Sequence, residues 1–408
     1  MRPHSHHKRG DPEYNNPAAN RFPKSAKRPD GFSRVAFVLH GGGALGAYQL
    51  GVMKGLIEAG YVPDWICATS IGAIQAGIFV GNLPENRIVK LEEFWRRITT
   101  YTPFDILGHN HLSLDFFNQI GSTLAIMLGQ RDFFRPRWYS PYTQISGTPD
   151  KLSIYDTTPL RETLLDLIDF DLLNNSQTRL SLGAVQISSG LLHYFNNMNY
   201  LIGPEHIMAS GALPPGFPAV KINDEYYWDG GIHSNSPLEV VFSALPRADT
   251  LCFVIDCFGG SPFVPTNMEG VAERMKDIAY STHAQMVLKN HMERFRLKTE
   301  LHKLTKTMDP KQIATLEQVL ENVGGIEPSH ITVVHVTYSS RLHRGASKDY
   351  NFSQVITQRR IDVGYQDIRA ALSESEKWDS PTANLELRLY EAPNNLSRFA
   401  QPKNYWRK

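Results

Sequence analysis

Apolar residues fall along this chain in short runs, each ending in small or turn-forming residues, and several are followed at once by helical spacing. RVAFVLH (34–40) leads into GGGALG and then AYQLGVMKGLIEAG, where Gly60 stands in the place of a helix-ending glycine. DWICATS leads in the same way into IGAIQAGIFVGN. Further strands are expected at RLSLGAVQI (179–187), DTLCFVID (249–256) and HITVVHVTY (330–338), and YYWDGG follows an INDE turn like the second half of a hairpin. Strands alternating with helices through short turns predict an α/β fold with a mainly parallel central sheet covered on both faces.

Elsewhere the pattern changes. Residues 1–33 are rich in Pro, Asn, His, Lys and Arg and poor in apolar groups, a composition that favours a flexible basic tail. His4, His6 and His7 in it read as solvated side chains rather than as metal ligands. Between Phe104 and Tyr142 the text is aromatic and irregular. A buried helical hairpin is one reading; a mobile cap or membrane-facing rim is the other, since Phe116, Phe117, Phe133, Phe134 and Trp138 cluster with Arg131, Arg135 and Arg137. Residues 268–308 carry apolar side chains near helical spacing among many Lys and Arg, which predicts one or two long helices, and a further helix is expected around Gly364 to Leu372. The division that follows is a tail at 1–33, a main domain at 34–260, a mainly helical C-terminal region at 261–380 and a tail at 381–408.

Charge narrows the partners. With 42 basic and 41 acidic side chains in 408 residues there is no global field to attract a polyanion, so no nucleic-acid partner is expected. The three cysteines, Cys67, Cys252 and Cys257, lie in or beside apolar runs and read as core thiols rather than as a disulfide framework. No signal peptide and no run approaching the ~20 apolar residues of a membrane span is apparent. The expectation is a cytoplasmic protein whose membrane contact is peripheral, with non-classical export and oligomeric state left open.

Gly41, Gly42, Gly43 and Gly46 satisfy GxGxxG between a strand and a helix, the context of a dinucleotide-binding turn. That reading needs an acid at the far end of the next strand. Asp64 has the separation but stands at the strand's beginning. The residue at its far end is Ser70, in Ala68-Thr69-Ser70-Ile71-Gly72, a nucleophile elbow of the G-x-S-x-G kind with Ala for the first glycine. In a parallel sheet the glycine and serine turns emerge at one carboxyl edge. There Ser70 would attack an ester carbonyl, and backbone N–H groups of Gly41, Gly42 and Gly43 would hold the oxyanion. A buried serine capping a helix is the plain alternative.

HGGG (40–43) also resembles the oxyanion sequence of α/β-hydrolases, yet only 27 residues separate Gly43 from Ser70, too few for that fold's intervening sheet. His193, His233, His283 and His335 stand in no recognisable catalytic setting, and His40 reads as packed under the turn. Asp229 is better placed to take the serine proton: it ends an aromatic strand, and Gly230 and Gly231 let the chain turn away from it.

GGGALG, ATSIG and DGG in that order, with AYQLGVM and ASGALPPGFPAV (209–220), resemble the patatin-like phospholipase family across about 34–260. The resemblance implies a three-layer α/β/α sandwich and acyl-ester hydrolysis by a Ser/Asp dyad without histidine. Carried over, Ser70 is the nucleophile, Asp229 the base and Gly41 to Gly43 the oxyanion loop, with Gly46, Ala68, Gly72, Gly230 and Gly231 supporting the motifs. It implies no metal or other cofactor and a lipid ester substrate, a phospholipid or lysophospholipid. The family's glycine turn often carries Arg or Lys where this chain has Leu45, which puts a cationic grip on phosphate in doubt. ERMKDIAYSTH and SKDYNFS look like an accessory region of a bacterial subgroup. Three other functions stay open: an esterase of short hydroxyacyl esters, a non-catalytic lipid-surface or partner-binding protein on the same fold, and a dinucleotide-dependent oxidoreductase.

Overall fold

A computed structural model describes residues 29–99, 125, 127–143, 147–244, 248–259, 264–320, 329–338, 348–379 and 387–393. Its strands are β1 Arg34–Leu39, β2 Trp65–Thr69, β3 Arg135–Pro136, β4 Tyr155–Asp156, β5 Arg179–Gln186, β6 Leu192–Asn196, β7 Val220–Ile222, β8 Glu225–Asp229, β9 Thr250–Asp256, β10 Ile331–Thr337 and β11 Leu387–Glu391. Nine of them form one sheet in the order β11-β10-β9-β1-β2-β5-β8-β7, with β6 beside β5. The path from β11 to β5 is parallel; β6 and β8 pair antiparallel with β5, and β7 antiparallel with β8. The mainly parallel α/β sandwich expected from the sequence is the fold.

The helices are α1 Ala47–Glu58, α2 Ile71–Val80, α3 Arg87–Ile98, α4 Thr158–Leu167, α5 Phe170–Asn175, α6 Pro204–Ser210, α7 Leu238–Ser243, α8 Met268–Thr305, α9 Pro310–Leu320 and α10 Gln354–Leu372. Alternation along β1 shows how the layers arise. Val35, Phe37 and Leu39 enter the core beneath α1 and α2, whereas Ala36 and Val38 join Trp65, Leu238, Val241 and Phe242 on the other face. Both faces being covered, the strands can be apolar throughout, as their sequences are. Cys67, Cys252 and Cys257 are free and buried in these cores.

The C-terminal region is mainly helical, and it also extends the sheet. β10 pairs with β9, and β11 with β10. Helix α10 lies directly on α1: a methyl on Gly51 would collide with the Ile361 carbonyl, and one on Gly364 with the Tyr48 carbonyl. Two glycines thus let the backbones touch where the two helices cross.

In the aromatic stretch the described residues divide. Phe133 and Phe134 are buried, after a tight turn bridging Gln130 and Phe134, while Trp138 is exposed. Arg135 pairs with Asp156 across the β3–β4 ribbon at 2.8 Å. Phe116 and Phe117 lie outside the described residues, as do most of the two expected tails.

Candidate active site

Ser70 sits between β2 and α2 with φ 58° and ψ −126°. A side chain other than glycine adopts positive φ at a cost of about 1–3 kcal/mol, and such strain persists only where the surroundings enforce it. Here they do. The Ser70 N–H donates to both the carbonyl and the hydroxyl oxygen of Ser210, each at 3.1 Å, and the Ser210 hydroxyl donates onward to the Gly183 carbonyl at 2.6 Å. Gly72 is required one step on, since an added methyl would lie 2.6 Å from the Leu39 carbonyl oxygen. Ala68, fully buried, pairs in register with Leu39 on one side and Leu182 on the other.

Strand register explains how Asp229 meets this serine. Along β5, Gly183 is opposite Thr69 of β2, and the next residue, Ala184, is opposite Asp229 of β8. Because β6 occupies the other edge of β5 through residues 181–185, β8 must share the edge that β2 has just left. The ends of β2 and β8 therefore meet head to head, with Ser70 and Asp229 at the junction. The Gly231 N–H donates to the Asp229 Oδ1 at 2.7 Å, and the Ser70 side chain beside it favours the ionised carboxylate. Asp229 is 2% exposed, and burial pushes its carboxyl up to about 7 against the opposing pull of Ser70 and the Gly231 N–H. Gly230 lets the chain turn here, as a methyl on it would lie 2.6 Å from the Gly183 carbonyl oxygen.

The glycine turn forms the third side. Gly43 has φ 54°, in the left-handed region that glycine adopts freely. A methyl on Gly42 would lie 2.6 Å from Cys257 Cβ, and one on Gly46 2.7 Å from Ile71. Asn235 brackets Gly41: its side chain donates to the Gly41 carbonyl at 3.1 Å, and its carbonyl accepts from the Gly41 N–H at 3.4 Å. Below the turn runs a buried amide chain in which Trp95 donates to Gln75, and Gln75 to Gln49 and the Gly46 carbonyl.

These elements enclose a cavity of about 70 Å³ holding Ser70 and Asp229, walled by Phe133, Phe134, Phe217, Phe258 and Phe352 with Tyr280 and Tyr350. Asn235, Ser210 and the wall residues 349–352 carried no role in the sequence reading. Ser210 lies in the ASGALPPGFPAV segment, which braces both Ser70 and Asp229: its Ala212 carbonyl accepts from the Asp229 N–H at 3.0 Å. A roomier groove of about 650 Å³ between α1, α3 and α10 contains neither Ser70 nor Asp229.

His40 and His335 are engaged elsewhere. The His40 Nδ1 lies 3.1 Å from Asp256 Oδ1, and His335 joins Asp256 to Glu391. Despite burial, which opposes its charge, the flanking carboxylates raise His335 to about 10. Among the described residues no histidine lines the cavity. Asp64 accepts from the Val35 N–H at 2.7 Å, at the opposite end of the strands from the glycine turn, so it cannot serve a nucleotide there. Among the described residues no group of three or more His, Cys, Asp or Glu is arranged to hold a metal ion.

Residues 37–242 match the family model of patatin-like phospholipases, and residues 278–384 match a second model described as patatin phospholipase. The chain belongs to the patatin-like phospholipase family. It is thereby related to lipid ester hydrolases, and its C-terminal region is itself part of a patatin pattern. Among solved structures it is similar to VipD from Legionella pneumophila, with 15% identity and a TM-score of 0.35 over 86% of this chain and 68% of that one. It is also similar to the type III effector ExoU of Pseudomonas aeruginosa, with 13% identity and a TM-score of 0.26 over 84% of this chain and 54% of that one. The chain thus spans about half the length of ExoU. No curated protein matches it.

Proposed function

We propose that this patatin-like protein is a serine acyl hydrolase that cleaves fatty acyl esters of phospholipids or lysophospholipids through an acyl-enzyme. The observation that carries the reading is the meeting of the strained Ser70 and the buried Asp229 in one cavity at the sheet's carboxyl edge. Ser70 Oγ attacks the ester carbonyl as its proton passes to Asp229. A carboxyl with a pKa near 7 suits both halves of the cycle, since it accepts that proton at neutral pH and then delivers it to the departing alcohol. Water next attacks the acyl-serine carbonyl, losing a proton to Asp229, and the acyl–Oγ bond breaks to release the fatty acid as Asp229 returns that proton to Ser70 Oγ.

The oxyanion is held by the turn. Gly42 and Gly43 stand at the start of the 3-10 segment Gly43–Gly46, where N–H groups have no acceptor within the helix. The Gly41 N–H already faces the Asn235 carbonyl, so Gly41 contributes chiefly by admitting Asn235 and Ser70 close to the turn. Removing one such donor typically lowers kcat about 10²- to 10³-fold. The wall beside Ser70 is aromatic and among the described residues holds no lysine or arginine, which suits an acyl chain rather than a phosphate at that point. Leu45, fully buried, agrees with this. Among the described residues no helix is long and apolar enough to cross a membrane, so the proposed contact with lipid is peripheral.

A second reading, hydrolysis of short hydroxyacyl esters, is favoured by the cavity's size: about 70 Å³ corresponds to roughly five to seven water sites. Mass spectrometry of products from a mixed panel of phospholipids, lysophospholipids and short hydroxyacyl esters separates the two. Fatty acid release by the wild type and none by Ser70→Ala or Asp229→Asn is expected. Full activity in either variant rules out the dyad, and failure of a fluorophosphonate to label Ser70 argues for a non-catalytic binding protein.

A further inference from the structure

A glycine-rich turn is the least preorganised backbone a chain can offer, so its donors act in catalysis only when neighbouring groups fix them. Three polar side chains hold carbonyls of the Gly41–Gly46 turn. Asn235 holds Gly41 and Gln75 holds Gly46, both from the region matched by the patatin model. The third comes from far away: Arg360 of α10 donates through Nη1 to the Ala44 carbonyl at 2.9 Å.

The same guanidinium grips the cavity's roof. Nη1 also donates to the Asn351 carbonyl at 2.9 Å, and Nη2 to the Lys348 carbonyl at 2.8 Å. The segment between those carbonyls supplies Asp349 and Tyr350 to the cavity, and the Asp349 carbonyl lies so close to Gly43 that an added methyl would be 2.5 Å from it. From outside, Lys348 pairs with Asp277 at 2.7 Å and Glu273 at 3.2 Å, and Lys276 with Asp349 at 3.0 Å, fastening the segment to α8. Arg360 is 1% exposed, and a buried charge is tolerable only where hydrogen bonds replace its water. Those bonds are three main-chain carbonyls, two on the roof and one on the turn.

We infer that Arg360 is a positioning residue for the oxyanion turn: the C-terminal region locks the turn and the roof of the acyl cavity into one unit through this guanidinium. The inference rests on the hydrolase reading above. It gives the C-terminal region a part in the reaction without placing any of its groups on the reacting atoms. Arginine is required because its planar fork reaches three carbonyls in different directions, which the single point charge of lysine does not.

Arg360→Lys tests it. Loosening preorganised donors acts on the transition state more than on bound substrate, so kcat should fall about ten- to a hundred-fold while KM stays within about threefold. An unchanged kcat in a folded Arg360→Lys protein overturns the inference. Because altering a buried guanidinium also threatens folding, a second measurement uses the wild-type chain. A fluorophosphonate on Ser70 places its phosphonyl oxygen in the oxyanion site, and hydrogen exchange should then slow at residues 42–46 and 348–352 together. Slowing confined to 42–46 refutes the coupling. Should the wild type neither cleave esters nor take the probe, the hydrolase reading fails instead. The coupling is then still decided by whether Arg360→Lys speeds exchange at 42–46, and no change there overturns it.

Discussion

Replacing Asp229 by Asn makes two predictions that share one cause. An ordinary aspartate ionises near 3.8, whereas burial holds the folded Asp229 near 7. Between those values the folded chain keeps a proton that the unfolded chain has released. The stability that this proton represents is therefore complete below about pH 4 and is lost as pH rises through about 7. At about 1.36 kcal/mol per unit, the gap of roughly three units sets a loss of about 4 kcal/mol. Asn has nearly the same shape and never ionises, so the variant escapes the loss. Urea unfolding of both proteins at pH 4.5, 6, 7 and 8 should show the variant gaining on the wild type by up to about 4 kcal/mol, with the gain levelling off above pH 7. The wild-type kcat/KM should rise about tenfold per pH unit up to about 7 and then flatten, because only the ionised carboxylate accepts the serine proton. Parallel stability curves, or a kcat/KM that is level from pH 5 to 8, would refute an elevated Asp229 acting as base.

The nucleophile position offers a conformational test: glycine adopts φ 58° freely and alanine does not, so Ser70→Gly should unfold later than Ser70→Ala by about 1 kcal/mol or more, though both are inactive. Thermal melts of the two variants read this directly, and equal melting points would deny strain at the elbow. In the glycine turn, Gly42→Ala puts a methyl 2.6 Å from Cys257 Cβ and should lower kcat about tenfold or more by displacing the donors. Adding Cys257→Gly opens the space and should restore part of the rate; a double variant no faster than the single one would mean that another contact fixes the turn.

What the sequence made legible is what local rules govern. A strand, a turn of small residues and a helix must follow one another at 34–58 and again at 65–80, because an apolar run ends where its flanking residues permit a sharp turn. That was enough to bring Ser70 and the glycines to one sheet edge. Asp229 was recognisable as an acid before two glycines, but the reason it reaches Ser70 is a register fact: β8 takes the edge of β5 that β2 vacates after Gly183. Nothing in EYYWD announces which neighbour it will have. Ser210 and Asn235 escaped for the same reason, since small polar residues at helix ends and in loops are common and only the fold aims them at Ser70 and Gly41.

The roof of the cavity was beyond reach altogether. Arg360 and Ala44 are 316 positions apart, and an arginine inside a helix reads as a solvated side chain until α10 is laid on α1 by the contacts at Gly51 and Gly364. Those two glycines were the available clue, because each weakens its own helix and is explained only by a partner backbone at that point. The division drawn at residue 260 falls between β9 and β10, which are paired along their whole length. A chain shortened there would leave β9 with a bare edge and the glycine turn without its roof. On the hydrolase reading, residues 331–338 and 348–372 are therefore part of the catalytic unit: β10 extends the sheet whose carboxyl edge carries Ser70 and Asp229, and residues 349–352 close the cavity in which they work.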